Sequence, residues 1–208
     1  MEDRTSRRSF LAVGGAAAVT ALAGCSADES GTAGSEIDDG SRPGLGDEAA
    51  PVTVTVFEDF SCPHCQRFTL QTTPTIVQQY VEPGDVRYLH ADFPIPVDDW
   101  SYPAANAGYA VFEEAGNDAF WRFLRSLFEA KIEEQRDYSL DVFEEIADEA
   151  ADVGQAARTA ASEGTYRERL DADRRRGENW GVRGTPTVFV DDEQVDLDGI
   201  GDAIERRL

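Results

Sequence analysis

Cys62-Pro63-His64-Cys65 is the stretch of this chain whose residue types and spacing could do chemistry. Two thiols at this separation can cycle between a dithiol and an internal disulfide. The thiolate is the reacting form. It is favoured at a helix N-terminus and beside an imidazole, where thiol pKa values fall from about 8.5 to between about 3.5 and 7.5. Pro63 suits the first turn of a helix, where its missing N–H is not needed. The helix end and His64 therefore both favour a thiolate on Cys62. A structural bridge usually closes a longer loop, because its constraint on the denatured chain grows with loop length. A ring this short stabilises little, so the spacing argues for redox work over a staple. The same motif offers sulfur and nitrogen to a metal, but a closed zinc site needs four ligands. His90 is the only further candidate, so a metal-binding protein is the second reading. A non-enzymatic binding protein is the third. No metal or organic cofactor is implied.

The elements around the motif have readable periods. The run Pro51-Val-Thr-Val-Thr-Val-Phe57 is a strand with both faces apolar enough to be central in a sheet. The helix after the motif carries Phe68, Ile76, Val77 and Tyr80, with Pro74 kinking or interrupting it. Pro83-Gly84-Asp85 is a turn, and Val86 to His90 a second strand. A long helical region follows, from Asp98 to Gly177. Its core stripes are Phe120, Leu124, Leu127 and Phe128, then Phe143, Ile146, Ala147 and Ala150. Arg174-Arg175-Arg176 reads as a solvated helix face, and His90 as structural or exposed. The chain ends with a strand Thr187 to Val190, a turn at Asp191-Asp192, a short strand Gln194 to Leu197, and a helix whose apolar face is Ile200, Ala203, Ile204 and Leu208. The order is β-α-β, then helices, then β-β-α. This is an α/β chain with the order of a thioredoxin fold carrying a helical insertion between its halves, over about 98–177.

Composition bounds the setting. The chain has 208 residues, 41% hydrophobic, with a net charge of −22, and Lys131 is its only lysine. Such acidity excludes binding nucleic acid or an anionic lipid surface by charge. Acidity with lysine depletion points to adaptation to high salt, as in haloarchaea. At about 1 M salt the Debye length falls to roughly 3 Å and self-repulsion is screened. Residues 1–25 read as an export signal. Ser6-Arg7-Arg8-Ser9-Phe10-Leu11 resembles a twin-arginine signal, the apolar run Phe10 to Ala23 is short for a membrane span, and Leu22-Ala23-Gly24-Cys25 resembles a lipobox. Cys25 is then the lipidation site, and the pair Cys62 and Cys65 works outside the cytosol, on the cell-surface face of the membrane. Residues 26–50, rich in Gly, Ser, Ala and acids, read as a flexible tether, so that folded structure begins near Pro51.

Phe57-Glu-Asp-Phe-Ser-Cys-Pro-His-Cys65, together with Gly181-Val-Arg-Gly-Thr-Pro-Thr-Val-Phe-Val190, resembles the DsbA-like branch of the thioredoxin superfamily over residues 51–208. The resemblance implies a protein-disulfide oxidoreductase. Cys62 would be the exposed nucleophile, Cys65 the resolving thiol, and His64 a stabiliser of the Cys62 thiolate. Gly184, Thr185 and Pro186 would form the substrate-binding loop. Pro186 would be cis, and Thr185 would offer its backbone to an extended substrate. The implied partners are exported proteins with free thiols and a membrane protein that reoxidises the pair; the lipid anchor would hold the enzyme near it. An isomerase or a reductase is the alternative within the same fold. Several thioredoxin relatives carry a buried carboxylate six positions before the first cysteine, which moves protons at the second sulfur. Here that position is Val56. Glu58 and Asp59 stand nearer, and the proton group for Cys65 is unassigned.

Overall fold

The structure, a computed structural model, describes residues 42–208. The export-signal reading, Cys25 and residues 26–41 of the tether lie outside the described residues. Among the described residues no helix is long and apolar enough to cross a membrane.

The frame is a five-stranded sheet of order β1-β3-β2-β4-β5. Its strands are β1 (Gly44–Leu45), β2 (Val52–Glu58), β3 (Val86–Asp92), β4 (Thr187–Val190) and β5 (Glu193–Val195). β2 runs parallel to β3, with Val52 opposite Val86 and Glu58 opposite Asp92. It runs antiparallel to β4, with Val54 opposite Val190 and Phe57 opposite Thr187. A parallel pair needs a crossover, and the helix after the Cys motif supplies it. Val52, Val54 and Val56 are 0–1% exposed, and each fully buried valine contributes about 1.5–3 kcal/mol. Thr55 and Phe57, which point to the opposite face, are 0% and 1% exposed, and this burial on both faces is what makes β2 central.

The crossover helix α1 covers 63–81. Helical turns at Pro63–Arg67 and Thr73–Ile76 alternate with wider π-turns at Phe68–Thr72 and Val77–Val81. Pro74 gives no N–H to the preceding turn and its ring crowds the carbonyl four residues back; the π-turn before it opens the helix there. So the interruption read from Pro74 is a widening, and the helix goes on beyond it. The helices of the insertion are α2 (Ser101–Ala115), α3 (Asn117–Ile132), α4 (Leu140–Ala151), α5 (Gly154–Glu163) and α6 (Arg167–Asn179), and α7 (Ile200–Glu205) closes the chain. Ser139 caps α4, its hydroxyl accepting the Val142 N–H at 3.2 Å.

The apolar residues separate into a core on each side of the sheet and a third in the insertion. Val52, Val54 and Val56 pack with Phe68 and Ile76 of α1 and with Ile200 and Ile204 of α7. On the other face Phe57, Leu89, Phe93, Val182 and Phe189 pack together. Phe120, Phe123, Leu127, Phe128 and Phe143 fill the insertion, and Phe60 joins them. Phe60 lies 5.6 Å from Phe128 and 5.8 Å from His90, ring to ring. The residue two before Cys62 is therefore the knuckle between the insertion and the end of β2.

Three boundaries differ from the sequence reading. Residues 42–50, read as tether, belong to the fold: β1 pairs with β3, and buried Arg42 pairs with Asp173 of α6. Two strand residues with long-range partners leave no periodic signal. β3 continues past His90 to Asp92, because its last two residues pair with Phe57 and Glu58. β5 spans Glu193–Val195, and Leu197 opens a short 3-10 turn. In the arginine run, Arg175 is exposed, while Arg174 is half-buried and reaches Glu178 at 3.1 Å.

Candidate active site

The loop after β2 presents Cys62. The Asp59 carboxylate accepts the Ser61 N–H at 2.8 Å and the Asp59 carbonyl accepts the Cys62 N–H at 2.9 Å, closing a turn. The Phe60 carbonyl accepts from the Gln66 side chain and the Tyr138 hydroxyl, both at 2.9 Å, which ties the turn to α1 and to the insertion. Cys62 is the N-cap of α1, extended at φ −78° and ψ 116°, with Pro63 in the first turn. Its first free backbone donors therefore face the Cys62 sulfur.

Cys62 and Cys65 are unbridged thiols, 5% and 0% exposed. The Cys62 thiol donates to the Thr185 carbonyl at 3.4 Å. Cys62 is held down to about 5, first by a hydrogen bond from Cys65, against the opposing effect of burial. The Thr185 side chain and the backbone N–H groups of Cys65 and His64 add to it. Cys65 is pushed far up by burial, by its bond to Cys62 and by the nearby Glu58 charge. The two sulfurs thus divide the roles: a stabilised thiolate at Cys62 and a protonated, fully enclosed thiol at Cys65.

The His64 imidazole does not face the sulfur. It is exposed, and its Nδ1 accepts from Arg67 at 3.1 Å. The stabilising group of His64 is its backbone N–H. This corrects the role read for its side chain: in the first turn the N–H points at the cap while the side chain points to solvent.

The loop before β4 completes the site. The Thr185–Pro186 peptide bond is cis. Gly184, Thr185 and Pro186 are half-buried, and the Gly184 carbonyl accepts the Thr187 hydroxyl at 2.7 Å. Pairing of β4 with β2 brings this loop beside the end of β2, and hence beside Cys62.

Beneath the sulfurs lies a buried group that sequence reasoning missed. Glu58 and His90 are 1% exposed and Asp92 2%. The Thr69 hydroxyl of α1 donates to Glu58 Oε1 at 2.7 Å. His90 Nδ1 lies 3.2 Å from Glu58 Oε2, and His90 Nε2 lies 3.3 Å from Asp92 Oδ1. Burial works against charge on His90, but Asp92 and then Glu58 outweigh it and raise the imidazole to about 9. Two flanking acceptors match an imidazolium, which has a donor on each nitrogen. His90 is thus structural and buried; the exposed alternative read from the sequence does not hold. The available signal was the alternation His90-x-Asp92, which puts both on one face of a strand. Asp59 points elsewhere. Burial pushes it up to about 7, the bond from Ser61 lowers it, and the Cys62 charge raises it further. Its Oδ2 is enclosed with no partner among the described residues.

Among the described residues no group of three or more His, Cys, Asp and Glu side chains is placed to hold a metal ion. His64 and His90 stand on different sides of the motif, one at the surface and one beneath it.

Comparison with known proteins agrees with this geometry. A family model described as thioredoxin matches residues 38–206. Disulfide bond formation protein D of Bacillus subtilis is 27% identical over 173 residues, covering 80% of this chain and 77% of that protein. The crystal structure of oxidised BdbD from Bacillus subtilis is similar with a TM-score of 0.74 at 26% identity, covering 81% of this chain and 93% of that one. DsbA of Chlamydia trachomatis, at 22% identity and a TM-score of 0.70, covers 79% of this chain and 90% of its own and shares the fold.

Proposed function

The chain belongs to the thioredoxin family, and on that premise we propose that it forms disulfides in proteins outside the cytosol through Cys62 and Cys65. It is a thiol–disulfide oxidoreductase of the DsbA and BdbD type. The observation that carries the oxidising direction is the asymmetry of the two thiols, Cys62 held at about 5 and Cys65 pushed far up. A stabilised Cys62 thiolate favours the dithiol over the disulfide, so the disulfide is a strong oxidant.

In the oxidised enzyme a substrate thiolate attacks Cys62 Sγ. The Cys62–Cys65 bond breaks, and Cys65 leaves with the electron pair and gains a proton. A second substrate thiolate then attacks the substrate sulfur of the mixed disulfide. Cys62 departs as a thiolate, for which its low pKa makes it a good leaving group. The substrate has lost two electrons and the pair has gained them. A membrane redox partner must remove them again. Gly184, Thr185 and Pro186 lie beside Cys62 and would align the substrate backbone.

The twin-arginine and lipobox resemblances support export and lipid attachment at Cys25, with residues 26–41 as the tether. On this reading the enzyme works at the outer face of a membrane, in reach of exported substrates and of the reoxidising partner. The acidic, lysine-poor composition supports work at high salt. The test is to mix oxidised protein with a reduced, unfolded secretory protein and count substrate disulfides by alkylation and mass spectrometry. Transfer by the wild type and none by Cys62→Ala is the expected result. No transfer by the wild type would overturn the reading.

A further inference from the structure

The loop that carries Thr185 also forms a wall of a pocket that the scheme above does not use. Arg183 stands two residues before Thr185, whose carbonyl lies 3.4 Å from Cys62 Sγ. With about 3.8 Å between successive Cα atoms, the Cα atoms of Arg183 and Thr185 are at most about 8 Å apart. The chain after β3 forms another wall. The Phe93 N–H donates to the Glu58 carbonyl at 2.7 Å, which holds this chain beside the turn that presents Cys62. The end of α6 forms a third. The pocket, of about 370 Å³, is lined by apolar Phe93, Ile95 and Val182 and by Arg174, Glu178 and Arg183. This volume is at the low end of the range for ligand sites, about 300–1,000 Å³, and suits one side chain of a bound peptide.

Its two cations are not equivalent. Arg174 is already engaged: its Nε donates to the Glu178 carboxylate at 3.1 Å and its Nη1 to the Pro94 carbonyl at 3.5 Å. Arg183 is exposed, and it donates from Nη1 alone, to the Val182 and Glu178 carbonyls at 2.9 and 3.2 Å. Among the described residues no carboxylate lies within 4.0 Å of its guanidinium, although the chain carries 41 acidic residues against 19 basic ones. The two carbonyls therefore fix the guanidinium by one end. The edge left over carries the Nε and Nη2 hydrogens side by side, and such an edge takes a carboxylate through two bonds. Resting on the oxidoreductase reading above, we propose that Arg183 selects substrates that carry a glutamate or aspartate close to the reacting cysteine. The guanidinium holds the carboxylate while Phe93, Ile95 and Val182 cover the aliphatic stem. An extended strand rises about 3.3 Å per residue, so the acid stands about two residues from the one that faces Thr185. Arg183 moves no proton and no electron; it is a specificity-determining residue. At about 1 M salt the Debye length is roughly 3 Å, so attraction at a distance is screened and a contact pair of this kind is what discriminates.

The experiment compares peptides with one cysteine each, bearing glutamate, glutamine or phenylalanine one to three residues before or after it. The oxidised full chain, carrying Cys25→Ser so that only the pair reacts, is mixed with each peptide in excess at one fixed high salt concentration. Samples are quenched in acid, and loss of the Cys62–Cys65 disulfide is read by alkylation and mass spectrometry. Each rate is divided by that of the same peptide with glutathione disulfide, which removes the effect of the glutamate on the peptide's own thiol. At the favoured position glutamate should outrun glutamine about fivefold, the upper end for a solvent-facing ion pair. Arg183→Gln should bring that ratio to about one, and Arg183→Lys, which keeps the charge and loses the two-bond edge, should fall between. Glu178→Gln removes the one acid that lines the pocket and keeps the carbonyl that Arg183 uses, so it should raise the ratio. If Arg183→Gln does not fold, Arg183→Lys and Glu178→Gln carry the test. Because the ratio compares two peptides on one enzyme, a general loss of activity cancels from it. A wild-type ratio of about one at every position overturns the proposal. So does a ratio that survives Arg183→Gln or falls in Glu178→Gln, or a phenylalanine peptide that outruns the glutamate peptide. A wild type whose disulfide reacts with none of the peptides instead overturns the oxidoreductase reading.

Discussion

Replacing Asp59 with asparagine should stabilise this protein, and by more as the pH rises. The carboxylate is 1% exposed, and one of its oxygens has no partner among the described residues. Burial lifts it from 3.8 to about 7. A folded-state pKa above the unfolded value means that the native state binds the proton more tightly. Stability is then fully present below about 3.8 and is lost as pH rises through about 7. Moving from 3.8 to about 7 makes the loss about 4 kcal/mol above neutrality. Asparagine has no charge to bury and still accepts from the Ser61 N–H, so it escapes this loss. The assay is urea unfolding of wild type and Asp59→Asn, both reduced and at one fixed salt concentration, at pH 5 and pH 8. The variant's advantage should be about 2–3 kcal/mol larger at pH 8 than at pH 5. An advantage equal at the two pH values would mean that Asp59 ionises like a surface carboxylate, and the burial argument would fail.

Cys65→Ser should trap the mixed disulfide with substrate on Cys62, visible as a covalent adduct on non-reducing gels, because the resolving thiol is gone while the Cys62 nucleophile remains. The hydrogen bond from Cys65 and the backbone donors, which His64→Ala keeps, set the thiolate; that variant should move the Cys62 titration, followed by ultraviolet thiolate absorbance, by less than about one unit. A larger upward move would return the role to the imidazole. Gly177→Ala should destabilise the fold by about 1–2 kcal/mol in urea. A Cβ there would meet the Phe93 ring at 2.7 Å and Phe57 at 3.0 Å. Overpacking costs about 1–3 kcal/mol, more than the helix gains from losing a glycine.

Most of the frame was legible because it is local. Val52, Val54 and Val56 on one face with Phe57 on the other mark a central strand by their own pattern, and the β-β-α ending follows from Thr187-Val-Phe-Val190 and the Ile200–Ile204 stripe. The Cys62–Cys65 spacing announced its chemistry without any fold. What was not legible depends on partners distant in sequence. Arg42 and β1 join the fold through Asp173 and β3, so their composition alone reads as tether. The inward turn of Glu58 depends on its register with Asp92, which no single strand reveals. The two adjacent acids at the end of β2 have separate surroundings: Glu58 meets His90 and Thr69, and Asp59 meets Ser61 and the Cys62 charge. The part of His64 that acts is set by helix geometry, since a residue in the first turn turns its N–H toward the cap whatever its side chain.

The reduction potential of the Cys62–Cys65 pair bears most directly on the oxidising role. It is measured on the full chain with Cys25→Ser, at high salt, equilibrated against glutathione buffers of graded ratio. A thiolate held at about 5 beside a protonated Cys65 should give a value between about −120 and −180 mV, the range of oxidising and isomerising members of this chemistry. A value below about −300 mV would mark an inert bridge, and the proposed disulfide-forming activity would be contradicted.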